Sequence, residues 1–206
     1  MSTSEETRTA SGELISSKES EGLGMRKGIL MIISLLFLSG CAITNRYEAY
    51  YGKVIDAETK EPLEGAAVLV VYFTEQYGVA GPVGHFADAL ETVTDKNGEF
   101  RIPPVRITTF RPLSRWPHYT QVRIFKPAYG CYPMHKNVKP QVDYESLPTD
   151  QYITVELPRL KTKEERLENY RWGYPSPRVP RTSYRKLLRL LNQEAVSLDL
   201  VPDSEP

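Results

Sequence analysis

Residues 52–71 read GKVIDAETKEPLEGAAVLVV, and the pattern extends back to Tyr50 and on to Tyr72-Phe73. Two extended runs, Tyr50–Ile55 and Ala66–Phe73, are rich in β-branched and aromatic side chains, which suit a pleated surface. A polar connection separates them. Asp56 is placed to accept hydrogen bonds from N–H groups two residues on and so to close a turn. Pro62 fixes φ and stops the turn from running on as a helix. Gly65 allows a backbone conformation that a Cβ would obstruct, just before the second run. Strand, turn and strand at this spacing predict a β fold, and they name no chemistry.

The pattern G-x-V-x-D-x-x-T-x-x-P-L-x-G-A-x-V is carried by Gly52, Val54, Asp56, Thr59, Pro62, Leu63, Gly65, Ala66 and Val68. It resembles the opening of the carboxypeptidase-regulatory-like (transthyretin-like) domains. A second block of that family, T-D-x-x-G-x-F-x-I, stands at Thr94, Asp95, Gly98, Phe100 and Ile102. The resemblance implies an all-β fold over residues 49–160, an antiparallel transthyretin-like or Ig-like β-sandwich of about seven strands. It also implies a non-catalytic module, because in carboxypeptidases of the family this domain supplies none of the zinc ligands. One departure is Lys60, where the family usually places Gly in the first turn.

The N-terminal part speaks of location. Residues 1–24 are Ser/Glu/Thr-rich without an apolar period and read as disordered. Residues 25–40 begin with Met25-Arg26-Lys27 and continue as an apolar run, the layout of a secretory signal. At about ten residues the run is too short to span a bilayer core of about 30 Å as a helix. A signal behind a polar preface points to Met25 as the natural start. The ending Leu38-Ser39-Gly40-Cys41 resembles the bacterial lipobox. That resemblance implies cleavage before Cys41, acylation of Cys41 and a membrane anchor through its acyl chains. Residues 41–48 then form a short tether, and Ala42 resembles the pattern sent on to the outer membrane. An ordinary signal or a short anchor with a chance Cys is the alternative.

Further along, Glu75–Ala87 is Gly-rich and reads as a loop. Ala89–Thr94 reads as a strand, Asp95-Lys96-Asn97-Gly98 as a hairpin turn with the Asn-Gly signal, and Glu99–Ile102 as the returning strand. Val105–His118 is a proline-broken basic insert holding Arg106, Arg111, Arg115 and Trp116. Thr120–Phe125 and Tyr152–Leu157 read as strands. In residues 161–206, a helical C-terminal tail that ends as an acidic disordered stretch over residues 199–206, Thr162 and Glu165 fit a capping box that opens one helix. A Pro-rich linker leads to a second helix over Ser183–Val196, whose apolar face is Tyr184, Leu187, Leu188 and Leu191. That face requires a cover: the chain's own sandwich, a membrane surface met by Arg185, Lys186 and Arg189, or a partner protein.

Catalytic signals are sparse. The chain has no phosphate-cradling loop, G-x-S-x-G, H-E-x-x-H or C-x-x-C. His85, His118 and His135 lie far apart, with no ligand spacing to make a Zn site. Asp95–Gly98 resembles part of a Ca²⁺ loop but lacks its further oxygen ligands. Cys131, the thiol left once Cys41 is acylated, reads as a small apolar filler, an intermolecular bridge or, with His135 four residues on, a nucleophile. No metal and no cofactor is therefore expected.

Thirteen tyrosines and two tryptophans fit either sandwich rims or a sugar-stacking surface. A formal net charge of zero gives no field that favours nucleic acid. The basic insert fits either a solvated stretch or a contact with anionic headgroups. The expectation is a non-catalytic, lipid-anchored protein of the cell envelope, in the outer membrane, that binds an envelope protein or glycan. Its candidate interaction surface is Trp116, Arg111, Arg115, Tyr184, Leu187, Leu188 and Leu191. The alternatives are a carbohydrate-binding module with a Tyr/Trp surface and a hydrolase using Cys131 or a histidine.

Overall fold

The computed structural model of the chain describes residue 31 and residues 42–79, 81–111, 113–139 and 146–204. The polar preface, the signal-like segment apart from Met31, and Cys41 lie outside the described residues. The chain divides into two units. In the smaller, Met1–Ile43 with Phe110–Pro112, Met31 is helical and Phe110 and Arg111 are exposed. The larger, Thr44–Thr109 with Leu113–Pro206, carries the fold described below.

Strand β1 (Ala42–Tyr47) is followed by β2 (Tyr50–Asp56), and the connection after β2 closes as its sequence dictates. The Asp56 carboxylate accepts from the N–H groups of Glu58 at 2.7 Å and Thr59 at 3.0 Å. Lys60 takes the left-handed conformation, φ +62°, where the family pattern has Gly. Gly65 follows at φ +73° and leads into β3 (Ala67–Gly78). β2 and β3 enter different sheets, so residues 57–66 cross from one sheet to the other.

The first sheet has the order β5-β2-β9, with β5 over Glu99–Ile102 and β9 over Tyr152–Leu157. β2 pairs β5 antiparallel, Gly52 opposite Phe100, and β9 parallel, Gly52 opposite Ile153. A Cβ on Gly52 would stand 2.0 Å from the Ile153 carbonyl oxygen, so the β2–β9 pairing requires glycine there. The parallel pair corrects the expectation of a wholly antiparallel fold. Nine strands occur among the described residues, eight of them within residues 49–160.

The second sheet is built on β3. Strand β4 (Gly81–Val93) pairs one edge of it; β8 (Gln121–Phe125) and β7 (Ser114–Arg115) share the other. β1 and β6 (Val105–Phe110) form a separate two-stranded ribbon, with the Thr44 and Thr108 hydroxyls 2.8 Å apart. The sheets share one core: Val54, Phe100, Ile102 and Val155 from the first meet Val68, Val70, Val122 and Ile124 from the second.

Two sequence expectations change here. Glu75–Ala87 is no loop: β3 and β4 run on as one long hairpin that turns at Gly78–Gly81. Its glycines punctuate a ladder that cross-strand hydrogen bonds hold, with a register shift near Tyr72-Phe73. Asp95–Gly98 does turn, with Gly98 at φ +73° and the Asp95 carboxylate accepting from Asn97 and Glu99. Yet β4 and β5 belong to different sheets, so this turn is a second crossing and not a hairpin.

A helical layer covers the other face of β3. Helix α1 (Lys163–Gly173) starts at Thr162, whose hydroxyl accepts from the Glu165 N–H at 3.1 Å. The Glu165 carboxylate returns to the Lys161 N–H rather than to the cap residue's own. A short 3₁₀ turn (Arg181–Ser183) precedes α2 (Arg185–Ser197). Leu187, Leu188 and Leu191 of α2, with Tyr184, pack on Ala67, Leu69, Val71 and Phe73 of β3. Each buried Leu contributes about 1.5–3 kcal/mol, which exceeds what the helix's own propensity supplies. The C-terminal segment is thus a packed layer, not a tail.

Candidate functional site

β3 and β7 pair antiparallel with Glu75 opposite Arg115, which sets the two side chains on one face of the ladder. The Glu75 carboxylate accepts from the Arg115 guanidinium at 3.1 Å and from the Tyr119 hydroxyl at 2.9 Å. Tyr77, two residues along β3 and so on the same face, lies under the Arg115 guanidinium, 4.5 Å from ring centre to charge. Glu75 is 8% exposed, and without these donors its charge would be strongly penalised.

Glu75 and Arg115 line a cleft of about 1010 Å³. Its residues come from four separate stretches: Asn45–Tyr50 in the β1–β2 corner, Glu75 and Pro82 of the hairpin, Arg115–Thr120, and Ser146–Thr149. Buried hydroxyls connect two of these stretches to the corner. The Tyr50 hydroxyl is 2.8 Å from Thr120 Oγ1, which is 3.1 Å from Ser146 Oγ. Tyr132 donates to the Ser146 carbonyl at 2.6 Å, fixing the start of the fourth stretch. Burial pushes the Tyr47 and Tyr50 phenols above their ordinary values, so both stay protonated at neutral pH. The result is an aromatic, hydroxyl-rich cleft of the size small-ligand sites reach, with a buried carboxylate and an accessible guanidinium held together.

Of the residues singled out in the sequence, Arg115 lines this cleft, and Trp116 packs edge-on against its Tyr47, 5.8 Å between centroids. Arg111 is exposed and belongs to the smaller unit. Tyr184, Leu187, Leu188 and Leu191 leave the candidate interaction surface. They are buried against the chain's own β3, because their apolar area finds its cover there. Cys41 lies outside the described residues.

His118 lines the cleft; His85 is on β4, and His135 is in the turn after Cys131. Among the described residues no group of three or more His, Cys, Asp or Glu side chains is placed to hold a metal. Cys131 is wholly buried in the sheet–helix layer, its N–H donating to Asn169 Oδ1 at 2.7 Å and its thiol directed at the Tyr132 and Trp172 carbonyls.

Glu75, Tyr119, Thr120 and Ser146 were not anticipated. One signal did exist for Glu75: a lone acid closing an apolar strand run calls for a partner.

No protein-family model and no curated protein matches the chain. Two solved structures are similar to parts of it. A 9R-lipoxygenase from Cyanothece PCC8801 is 14% identical with a TM-score of 0.25, over 52% of this chain and 16% of that one. An alternative pilotin from the type II secretion system of Vibrio cholerae is 16% identical with a TM-score of 0.26, over 57% of this chain and all of that one. Likenesses this distant carry no inference about what the chain does.

Proposed function

We propose that this chain is a lipid-anchored, non-catalytic binding module of the cell envelope, built on a transthyretin-like sandwich, and that the Glu75–Arg115 cleft receives its partner. The observation that carries the reading is that cleft: four distant stretches converge, and a charged pair is held at its wall by neighbours already in place. Pre-positioned polar groups beside aromatic rings serve binding because little ordering remains to be done when a ligand arrives. The lipobox-like Leu38–Cys41 and the two sequence blocks support the location and the architecture. The burial of Cys131 beneath the helices favours binding over a thiol hydrolase.

The test uses the full chain in cells, with a photoreactive phenylalanine analogue at His118 on the cleft or at Gln193 on the exposed side of α2. Irradiation should give adducts with envelope material from position 118 and none from 193. The adducts should disappear when Arg115→Ala and Tyr119→Phe are combined. Equal adducts from both positions, or turnover of envelope material by the purified protein, would count against the reading.

A further inference from the structure

The charges of the cleft say more about its ligand. Arg46 and Arg115 stand against Glu48 and Glu75, so its lining has no net sign apart from His118. An anionic ligand would meet the carboxylates and a cationic one the guanidiniums, and neither gains from the whole site. What such a site does offer is a fixed acceptor beside a fixed donor. Glu75 and Arg115 are 3.1 Å apart, with the Tyr119 hydroxyl 2.9 Å from the same carboxylate. Two neighbouring ring hydroxyls of a sugar have that spacing: one donates to the carboxylate while the oxygen of the next accepts from the guanidinium. Both contacts are charge-assisted and short-ranged. The half-buried Tyr119 supplies aromatic surface for the C–H face of the ring, and Asn45 and Thr149 add polar reach along the length of the cleft.

From this we infer that the cleft binds a neutral oligosaccharide, gripped through a vicinal pair of hydroxyls by Glu75 and Arg115. The inference rests on the cleft being a binding site, as proposed above. A proline-rich peptide would use the same aromatic surface, but its proline nitrogens carry no hydrogen to donate to the lone pairs that Arg115 and Tyr119 leave on Glu75. The polar density of the lining therefore favours the sugar.

The experiment presents the full chain in detergent micelles to immobilised maltohexaose, cellohexaose, xylohexaose, mannohexaose and chitohexaose. Hexagalacturonate, a proline-rich decapeptide and a permethylated form of each neutral sugar stand beside them. At least one neutral hexasaccharide should bind. Its permethylated form should bind at least about 10-fold more weakly, since a site built to hydrogen-bond hydroxyls rejects the analogue lacking them. Arg115→Lys, which keeps the charge and loses the planar fork, and Tyr119→Phe should each weaken binding by about 10-fold. Both residues are at least partly exposed, and unfolding midpoints measured beside the parent chain separate lost binding from lost fold. The inference is overturned if no neutral sugar binds, if only the hexagalacturonate or the peptide binds, or if the permethylated forms or these variants bind equally well. If the His118 adducts persist while no neutral sugar binds, the ligand class fails and the binding module stands. If neither is seen, both fail.

Discussion

Three glycines show how one atom is weighed against its surroundings. Gly65 and Gly98 share φ +73°, but a Cβ on Gly65 meets nothing within 4 Å, whereas one on Gly98 falls 2.5 Å from the Val54 carbonyl oxygen. Gly65→Ala should therefore cost only the left-handed backbone penalty, about 1 kcal/mol. Gly98→Val adds a clash with the backbone of β2 and should cost at least about 3 kcal/mol. Chemical denaturation of both variants checks the difference, and equal losses would show that contact with β2 does not matter. Gly52 obeys the second rule at an ordinary φ, through the Ile153 carbonyl.

Asp56 gives a pH dependence at the same scale. Burial alone would raise its carboxyl; the N–H groups of Thr59 and Glu58, the Tyr129 hydroxyl and the Arg159 charge more than offset this and hold it below the usual 3.8. Its folded pKa is thus lower than its unfolded one, so its contribution is present above the unfolded value and is lost as pH falls through the folded one. Unfolding midpoints of Asp56→Asn and the parent chain should differ at about pH 6 and converge as pH falls below 3.8 through the folded value. A constant gap would mean that the charge is not what the turn holds. Asp56 was legible as a turn residue because the N–H groups of Glu58 and Thr59 lie two and three positions on, whereas Tyr129 and Arg159 reach it only through the fold.

Elements were legible where their cause was local and misread where it was not. Gly78, Gly81 and Gly84 look like loop punctuation, and only the opposite strand makes them part of a hairpin. The unbroken apolar run Ala66–Phe73 was legible as a strand, but its lack of alternation meant more: both faces are covered, which implies a third layer. The apolar face of α2 required a cover without naming it, and the structure supplies β3. Deleting residues 181–206 should therefore lower the unfolding midpoint, and an unchanged midpoint would argue against this packing.

Glu194 ties the helical layer together. It is wholly buried, accepts from Arg166 at 2.8 and 2.7 Å, and accepts from the Ala128 N–H at 3.1 Å. Arg166→Met leaves that carboxylate without its countercharge and should cost about 3–5 kcal/mol. Adding Glu194→Leu removes the stranded charge and should recover part of the loss. A double variant as unstable as the sum of the singles would mean that the pair acts through packing and not through charge.

At the scale of the whole molecule the cleft was illegible, because residues from 45 to 149 meet there through sheet order alone. No local pattern marks Glu75 and Arg115 as neighbours until β7 is known to pair β3. The proposed anchor is the reverse case, resting on a motif of four adjacent residues, Leu38–Cys41.

That motif yields the last prediction. One acyl chain holds a protein only marginally, whereas two or more anchor it stably. On the lipobox reading the acyl chains of Cys41 make the attachment. Cys41→Ser should leave the chain either at its precursor mass or released from membranes, and in neither case carrying acyl mass. The core described above is built from Tyr47 to Leu198, so the unfolding midpoint of the variant should match that of the parent. Detergent phase partitioning, N-terminal mass and thermal unfolding together decide it. If partition and N-terminal mass are unchanged in Cys41→Ser, the anchor lies elsewhere. A lowered midpoint would mean that the residues around Cys41 pack on the fold, and the segment would then be more than a tether.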